Sequence, residues 1–341
     1  MNNQQLFGDL YLISNRYKNF YDNFQKIVEI LSKIPALRPV FDFIKCSSST
    51  FADGELRFEL NATNIRNNVV RVVHPLIDDT SVLELIFILD TLNRNSLCKS
   101  IQLVIPYMRY SRQNRRVNGE PMSANCIIKM ILSHSEKLDS IEFFDLHDDS
   151  LLNVIPNSIH TSNQNYDDLF HLCIDRFHTF NDLISIDENT VVVAPDIGAV
   201  KRARNFANII DSIFDIAIID KTRNPDGKSQ INNIVGQDVN DQECVIVDDI
   251  VDSAGTLCQT AKLLKEKGAT KVYACISHGV FSGDAIQRIE DSDIERLFVT
   301  DSNKFDIKDS TKIEVIPFFI HEITNPCMTL GVVLEIYYRE L

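Results

Sequence analysis

Residues 244–256 read Cys244-Val-Ile-Val-Asp248-Asp249-Ile-Val-Asp252-Ser253-Ala254-Gly255-Thr256. An apolar, β-branched run ends in two carboxylates and passes through small residues into a helical pattern. Small residues let backbone N–H groups approach an anion, and a helix N-terminus adds partial positive charge. Ser253 and Thr256 add hydroxyl donors, and the Asp248–Asp249 pair offers acceptors for sugar hydroxyls. The segment suits a sugar phosphate, with the phosphate on residues 252–256 and the diol on the carboxylates. A helix capped in the ordinary way by Asp252 or Ser253 would use the same residues. The carboxylate pair after an apolar strand favours the pocket.

Other residues sit just after apolar runs, where open α/β sheets bind ligands. Asp196 follows Val191-Val-Val-Ala194 and can hold Mg²⁺ or a ribose hydroxyl, or simply cap the next helix. His147 follows Ile141-Glu-Phe-Phe-Asp145. A lone histidine is more often structural, and magnesium prefers oxygen ligands, so its chemistry alone suggests a phosphate contact. Arg112-Gln113 can clamp phosphates through the planar guanidinium. Arg109, Arg115 and Arg116 read as a solvated basic face. Phe51, Asp53 and Glu55 lie in a Gly-containing turn. Lys221-Thr-Arg223 opens a long polar connection, Lys221 to Gln242, that reads as a mobile loop. Gly227-Lys228-Ser229 looks like the end of a P-loop, but the required first Gly would fall at Thr222. The chain contains no Gly-x-Gly pair, so a Rossmann dinucleotide signature is absent.

The elements that must position these residues alternate. Val- and Ile-rich runs at 101–105, 141–145, 191–194, 216–220, 244–247 and 272–276 are separated by helical patterns at 82–95, 122–136, 199–210 and 255–267. That order predicts an α/β fold of parallel sheets flanked by helices. The 341 residues suit about two domains. A weak echo, Val104-Ile-Pro106 against Val193-Ala-Pro195, each followed by a basic segment, fits two similar halves. The polar stretch Asn157 to Asp168 reads as the link, dividing the chain into domains at 1–160 and 161–341. Eight cysteines lack metal-site spacing and read as small buried hydrophobes. A net charge of −14 argues against nucleic acid and anionic membranes. No apolar run approaches the length of a membrane helix, and no secretory signal opens the chain. A cytoplasmic protein is expected.

Taken in order, these segments resemble the ribose-phosphate diphosphokinase family, built on the type I phosphoribosyltransferase fold. The residues that carry the resemblance are the 248–256 loop, Phe51-Ala-Asp53-Gly-Glu55, Pro106-Tyr-Met-Arg-Tyr-Ser-Arg112-Gln113, Asp145-Leu-His147, Ala194-Pro-Asp196 and Ser277-His278-Gly279 to Gly283. They span roughly residues 10 to 320. The resemblance implies two similar phosphoribosyltransferase-like domains, the first on the ATP side and the second on the ribose 5-phosphate side. The C-terminal tail is expected to pack back on the first. It implies transfer of the β,γ-diphosphoryl group of ATP to the C1 hydroxyl of ribose 5-phosphate, with Mg²⁺.

The roles it implies are specific. Phe51 stacks on adenine, with Asp53 and Glu55 as hydrogen-bonding carboxylates, in a neighbouring subunit of a dimer-based oligomer that builds hexamers. His147 stands beside metal and ATP phosphates, together with Arg112 and Gln113, and Asp196 holds metal or ribose. Asp248 and Asp249 hold the diol, while Asp252, Ser253, Ala254, Gly255 and Thr256 hold the 5-phosphate. Lys221 and Arg223 close over ATP. A catalytically silent regulatory subunit and a base phosphoribosyltransferase are the alternatives. The chain departs from the family at Ser253-Ala254 (usually Thr and Gly), at Asn114 (usually Asp), at Asp148-Asp149-Ser150 (usually small residues then Gln), in an Arg missing around residues 118–121, and from about Thr324 onward.

Overall fold

The β-branched runs form the middle strands of two mainly parallel sheets. In the computed structural model the described residues are 9–13, 41–44, 46–60, 65, 67–94, 98–116, 119–165, 186, 188–223, 229–307 and 310–317. The chain forms two compact units that change over between Gln164 and Asn165. The expected C-terminal tail contact lies outside the described residues.

The first unit contains β1 (Asp9–Leu12), β2 (Phe41–Ile44), β3 (Cys46–Thr50), β4 (Leu56–Leu60), β5 (Val69–Val73), α1 (Asp79–Arg94), β6 (Ser100–Ile105), α2 (Ser123–Ser133), β7 (Leu138–Phe144) and β8 (His160–Gln164). Its sheet runs β2-β1-β5-β6-β7-β8, with every pairing parallel. Alternate strand residues point to one face. Val70, Val72, Ile101, Leu103, Ile141 and Phe143 form one core with Leu85, Ile88 and Leu89 of α1 and Ile128 and Ile131 of α2. At the intervening positions the Arg71 guanidinium donates to Glu142 at 2.6 Å and to Gln102 at 3.3 Å. β3 and β4 form a separate antiparallel hairpin whose tip holds Phe51, Asp53 and Glu55.

The second unit contains β9 (Thr190–Ala194), a 3₁₀ turn (Ile197–Ala199), α3 (Val200–Ile209), β10 (Ala217–Arg223), β11 (Ser229–Gly236), β12 (Glu243–Val251), α4 (Gly255–Glu266), β13 (Lys271–Gly279), α5 (Ala285–Glu290), β14 (Arg296–Thr300) and β15 (Ile313–Ile316). The order is β11-β10-β9-β12-β13-β14-β15, parallel except for β10 with β11. Leu257, Ala261 and Leu264 of α4 and Ile289 of α5 share a core with Val191, Val193, Cys244, Ile246 and Ala274. α3 packs its buried Ala203 and Phe206 over β9 and β12, whose alternate residues Val192, Val245 and Val247 are also buried.

The two sheets repeat one topology. In each, the first strand is flanked by its successor and by the strand after a hairpin, so β1 corresponds to β9, β5 to β12 and β6 to β13. Two similar halves are present, but the echo of Val104 against Val193 pairs β6 with β9, which are not counterparts. Other expectations also change. Half of the connection after Lys221 is a strand pair, with register Ala217↔Gly236 to Arg223↔Ser229, and residues 224–228 lie outside the described residues. Its polar composition disguised an edge hairpin as a loop. Residues 160–164 of the polar stretch form the edge strand β8. Asp248 and Asp249 lie within β12, which runs on to Val251. Cys98, Cys244 and Cys275 are buried, whereas Cys126 is exposed.

Gly236 ends the hairpin at φ +97°, and a Cβ there would stand 2.5 Å from the Ile216 carbonyl oxygen. Backbone cannot yield cheaply to that contact. Gly236→Ala is therefore expected to cost about 2 kcal/mol or more in urea unfolding; an unchanged midpoint would refute the tight approach.

Candidate functional site

In the second sheet β9 lies between β10 and β12, so the chain leaves β9 in one direction and returns on its other side. Such a switch point opens a crevice at the carboxyl ends of the strands. Three strands bring side chains there. From β9, Pro195 leads to Asp196, which is exposed and whose Oδ1 accepts the Ala199 N–H at 3.2 Å. Asp196 thus caps the 3₁₀ turn through Oδ1, and among the described residues only that oxygen is committed. From β10 comes Lys221, just after a bulge between Asp220 and Lys221; bulges of this kind re-aim side chains. The Lys221 Nζ is buried without a hydrogen-bond partner among the described residues. Burial pushes its pKa below the usual lysine value, against the pull of Asp196 and Asp248. Arg223 ends the same strand, and its side chain lies outside the described residues.

β12 supplies the carboxylate pair. Asp249 is 6% exposed, and its N–H donates to Asp248 Oδ1 at 3.0 Å. Burial holds the Asp248 carboxyl well above the usual range; the Asp249 charge adds to this, Arg202 opposes it, and Asp196 adds again. A half-buried carboxylate, a buried one and a buried ammonium therefore lie near the exposed Asp196.

The loop that follows is not capped. Ala254, the residue before α4, stands at φ 59°, and no side chain caps the helix. Among the described residues the N–H groups of Ser253, Ala254, Gly255 and Thr256 donate no hydrogen bond, and the first bond of this region is Cys258 N–H to the Ala254 carbonyl at 3.0 Å. The expected alternative of an ordinary Asp252 or Ser253 cap fails, because the Asp252 carboxylate instead accepts from the Ser282 hydroxyl. An L-residue in the left-handed region costs about 1–2 kcal/mol. The arrangement leaves neutral donors without a partner among the described residues at a helix start, which is what an anion needs.

In the first unit, the turn after β6 carries Arg112 and Gln113, both exposed, behind Tyr110 at φ 67°. The Gln113 Oε1 accepts from Ser123 Oγ at 2.7 Å. Arg109, expected to be a free surface cation, is pinned: it donates to Asp79 and to the Ile77 carbonyl, each at 3.0 Å, and stacks on Tyr110. His147 follows β7, next in the sheet to β6; it is exposed and preceded by Asp145 at φ 46°. At the hairpin tip Phe51, Asp53 and Glu55 are exposed; Asp53 Oδ1 accepts the Glu55 N–H at 3.1 Å, and Arg57 stacks 5.8 Å from the Phe51 ring. Arg57 carries no motif signal, and only the fold reveals its contact with Phe51.

Two departures from the family pattern prove to be one contact. Asn114 donates its amide to Asp148, whose carboxylate also accepts the Ser150 N–H at 2.8 Å and lies 3.5 Å from Arg115. The Ser150 N–H and then the amide help hold the Asp148 carboxyl below its usual range. Where the family usually has Asp at 114 and a small residue at 148, this chain has an amide facing a carboxylate. Among the described residues no three His, Cys, Asp or Glu side chains gather as a metal site, and no helix is long and apolar enough to cross a membrane.

Two outcomes follow from this geometry. Asn114→Asp places carboxylate against carboxylate and is expected to destabilise the first unit by about 1–2 kcal/mol; adding Asp148→Ala should recover most of that loss in a double-mutant cycle, and simple additivity would sink the coupling. Asp248 binds its proton more tightly folded than unfolded, so its ionisation erodes stability as pH rises from about 4 through its higher folded value. Asp248→Asn is expected to remove that decline and gain about 1 kcal/mol or more at pH 7 in urea unfolding; a parallel pH profile would refute the crowding.

Comparison with known proteins agrees with this architecture. A family model described as the N-terminal domain of ribose phosphate pyrophosphokinase matches residues 18–134, and one described as a phosphoribosyl synthetase-associated domain matches residues 223–322. The chain is 33% identical over 337 residues to the ribose-phosphate pyrophosphokinase of Staphylococcus epidermidis, covering 96% of this chain and 98% of that one. It is 35% identical over 298 residues to that of Buchnera aphidicola subsp. Acyrthosiphon pisum, covering 84% and 86%. The crystal structure of phosphoribosylpyrophosphate synthetase from Mycobacterium smegmatis shares the fold, with a TM-score of 0.75 over 96% of this chain and 99% of that one, at 24% identity. The sheet order, the switch-point residues and the extent of identity lead to one assignment: the chain belongs to the ribose-phosphate pyrophosphokinase family of enzymes.

Proposed function

We propose that the family's reaction, ATP plus ribose 5-phosphate giving 5-phosphoribosyl 1-diphosphate plus AMP, is carried in this chain by the residues at the carboxyl ends of β9, β10 and β12. The observation that carries the reading is the uncapped 252–256 loop, with four unused N–H donors, beside the Asp248–Asp249 pair. The loop takes the 5-phosphate, and Asp248 and Asp249 accept from the ribose hydroxyls. The C1 hydroxyl attacks the β-phosphorus, its proton is lost, the bond to the α-phosphate oxygen breaks, and AMP leaves while the β,γ-diphosphoryl group moves as a unit. Such transfer depends mainly on positioning and on neutralising charge. Lys221, a buried ammonium without a hydrogen-bond partner among the described residues, supplies a desolvated cation for the transferring group, with Arg223 beside it on the strand.

The oxygen-rich donor set fits Mg²⁺ better than a softer metal. Magnesium is commonly held by one or two carboxylates plus substrate phosphates, and among the described residues Asp196 has committed only one of its oxygens. When bound, the ion would supply charge neutralisation at the phosphate oxygens, with Asp196 as the residue of the second unit that would hold it and His147 as the candidate on the first unit. On the first unit Arg112, Gln113 and His147 take the ATP phosphates. Phe51, 51% exposed, with Asp53 and Glu55, takes adenine in a second subunit of a dimer-based homo-oligomer. The protein acts in the cytoplasm, on small molecules rather than nucleic acid.

The test is AMP release by the full chain given ATP, ribose 5-phosphate and Mg²⁺. Lys221→Ala is expected to lower kcat by roughly 100-fold or more while changing the KM for ribose 5-phosphate little. No AMP from the wild-type chain would favour a silent subunit, and an unchanged kcat would remove Lys221 from the chemistry.

A further inference from the structure

The turn that follows β13 meets the 252–256 loop from behind. Val251, the last residue of β12, accepts two N–H groups through its carbonyl, from Val280 at 2.8 Å and Phe281 at 3.3 Å. The Asp252 carbonyl accepts the Ser282 N–H at 3.0 Å, and the Asp252 carboxylate accepts the Ser282 hydroxyl. Ser253 is held next: the Arg288 guanidinium, from α5, donates to its carbonyl oxygen. Each residue leading to the left-handed Ala254 therefore has a partner on the segment 280–288.

That segment is itself stiff. Phe281 stands at φ 50° and is 8% exposed. Its ring lies over Gly279, where an added Cβ would meet Phe281 Cε2 at 2.4 Å, and packs edge-to-face on Phe305 at 5.1 Å. A fixed turn can impose an unfavourable backbone conformation on the loop it contacts, because such strain persists only where surroundings over-determine it. Two of the contacts need a particular side chain, those of Ser282 and Arg288; the others are backbone and indifferent to residue type.

We infer that Ser282 and Arg288 are positioning residues for the anion loop, fixing Asp252 and the Ser253 peptide so that the N–H donors of residues 253–256 are set before the ligand arrives. Neither touches substrate in this scheme. The effect belongs to ground-state capture of the sugar phosphate, because preorganisation lowers the ordering cost of binding. The inference rests on the reading of the loop as the 5-phosphate cradle.

Its test uses the full chain with Ser282→Ala, Arg288→Met and Arg288→Lys. Ribose 5-phosphate binding is read by calorimetry, and KM and kcat by AMP release. The expected result is a rise of about tenfold in Kd and KM for ribose 5-phosphate with Ser282→Ala and with Arg288→Met. KM for ATP and kcat should stay within about twofold of wild type, with Arg288→Lys recovering most of the loss. Ser282→Ala removes one hydroxyl from an exposed residue, so it remains informative if Arg288→Met fails to fold. Unchanged ribose 5-phosphate affinity in the folded variants would overturn the inference, as would a loss shared equally by ATP, ribose 5-phosphate and kcat. A wild-type chain that neither binds ribose 5-phosphate nor releases AMP would instead overturn the reading of the loop.

Discussion

Like charges crowd at the carboxyl ends of β9, β10 and β12, and the fold leaves the crowding unresolved. Asp248 is held above its usual range by burial and by Asp249 and Asp196, while burial drives Lys221 the other way. Each group would be more stable nearer neutrality. A chain optimised only for folding would place apolar residues here, since uncompensated buried charge is costly. The parallel topology makes the arrangement possible, because a switch point brings three strand ends together without a connecting segment between them. What relieves the strain is a ligand with hydroxyl donors for the carboxylates, an anion for the ammonium and a dication for the excess negative charge. On the proposed reading, ribose 5-phosphate, a polyphosphate and a divalent cation would supply these in turn. Sites that store instability in this way give up folding free energy for function.

The repeated sheet order shows what a switch point does not guarantee. In the first unit the counterpart of the 252–256 loop runs from β5 into α1. There the chain's own side chains occupy the helix start. Asp78 Oδ1 accepts the Ser81 N–H at 2.7 Å, and Asp79 accepts from Arg109 at 3.0 Å and from the Tyr110 hydroxyl at 2.7 Å. The Tyr110 hydroxyl and Arg109 hold the Asp79 carboxyl below its usual range. An anion arriving at that helix would meet carboxylates. Topology offers each unit a helix start after the strand next to the first, and in the first unit side chains close it, which favours the proposed placement of the sugar phosphate on the second unit.

Much of this was legible in the sequence because it depends on local periodicity. The runs of Val and Ile around residues 103, 141, 192 and 246 mark buried strands, and the paired Asp after Val247 marks a candidate site by residue type and order alone. The misses share a cause. β8 and β11 are edge strands with polar residues such as Asn163 and Gln230, so they carry no apolar period and read as linker or loop. The 253–256 N–H groups, which donate no hydrogen bond among the described residues, depend on dihedral angles that Ser and Ala do not announce. Asn114 and Asp148 lie 34 residues apart, so two departures from a family pattern read as independent along the chain, and only the adjacent ends of β6 and β7 join them. Arg288 is invisible in the sequence for the same reason, being 35 residues from the carbonyl it holds.

The acidity of the chain, −14 overall, bears on how the phosphate is held. A lysine or arginine placed beside Asp196, Asp248, Asp249 and Asp252 would be drawn to those carboxylates rather than kept for a ligand. Arg202 behaves in this way, lowering Asp248 instead of standing free. Backbone N–H groups cannot be captured like this, because their direction is fixed by φ and ψ and not by a rotatable side chain. A loop of small residues in a strained conformation can therefore present donors to an anion within a field of negative charge that would disarm a cation. Lys221 escapes the same fate through burial and the bulge that aims it, reaching neither carboxylate closely enough for a hydrogen bond. On the proposed reading, ribose hydroxyls and phosphate would share one crevice, since the carboxylates that would serve the diol cannot neutralise the dipoles that would serve the phosphate.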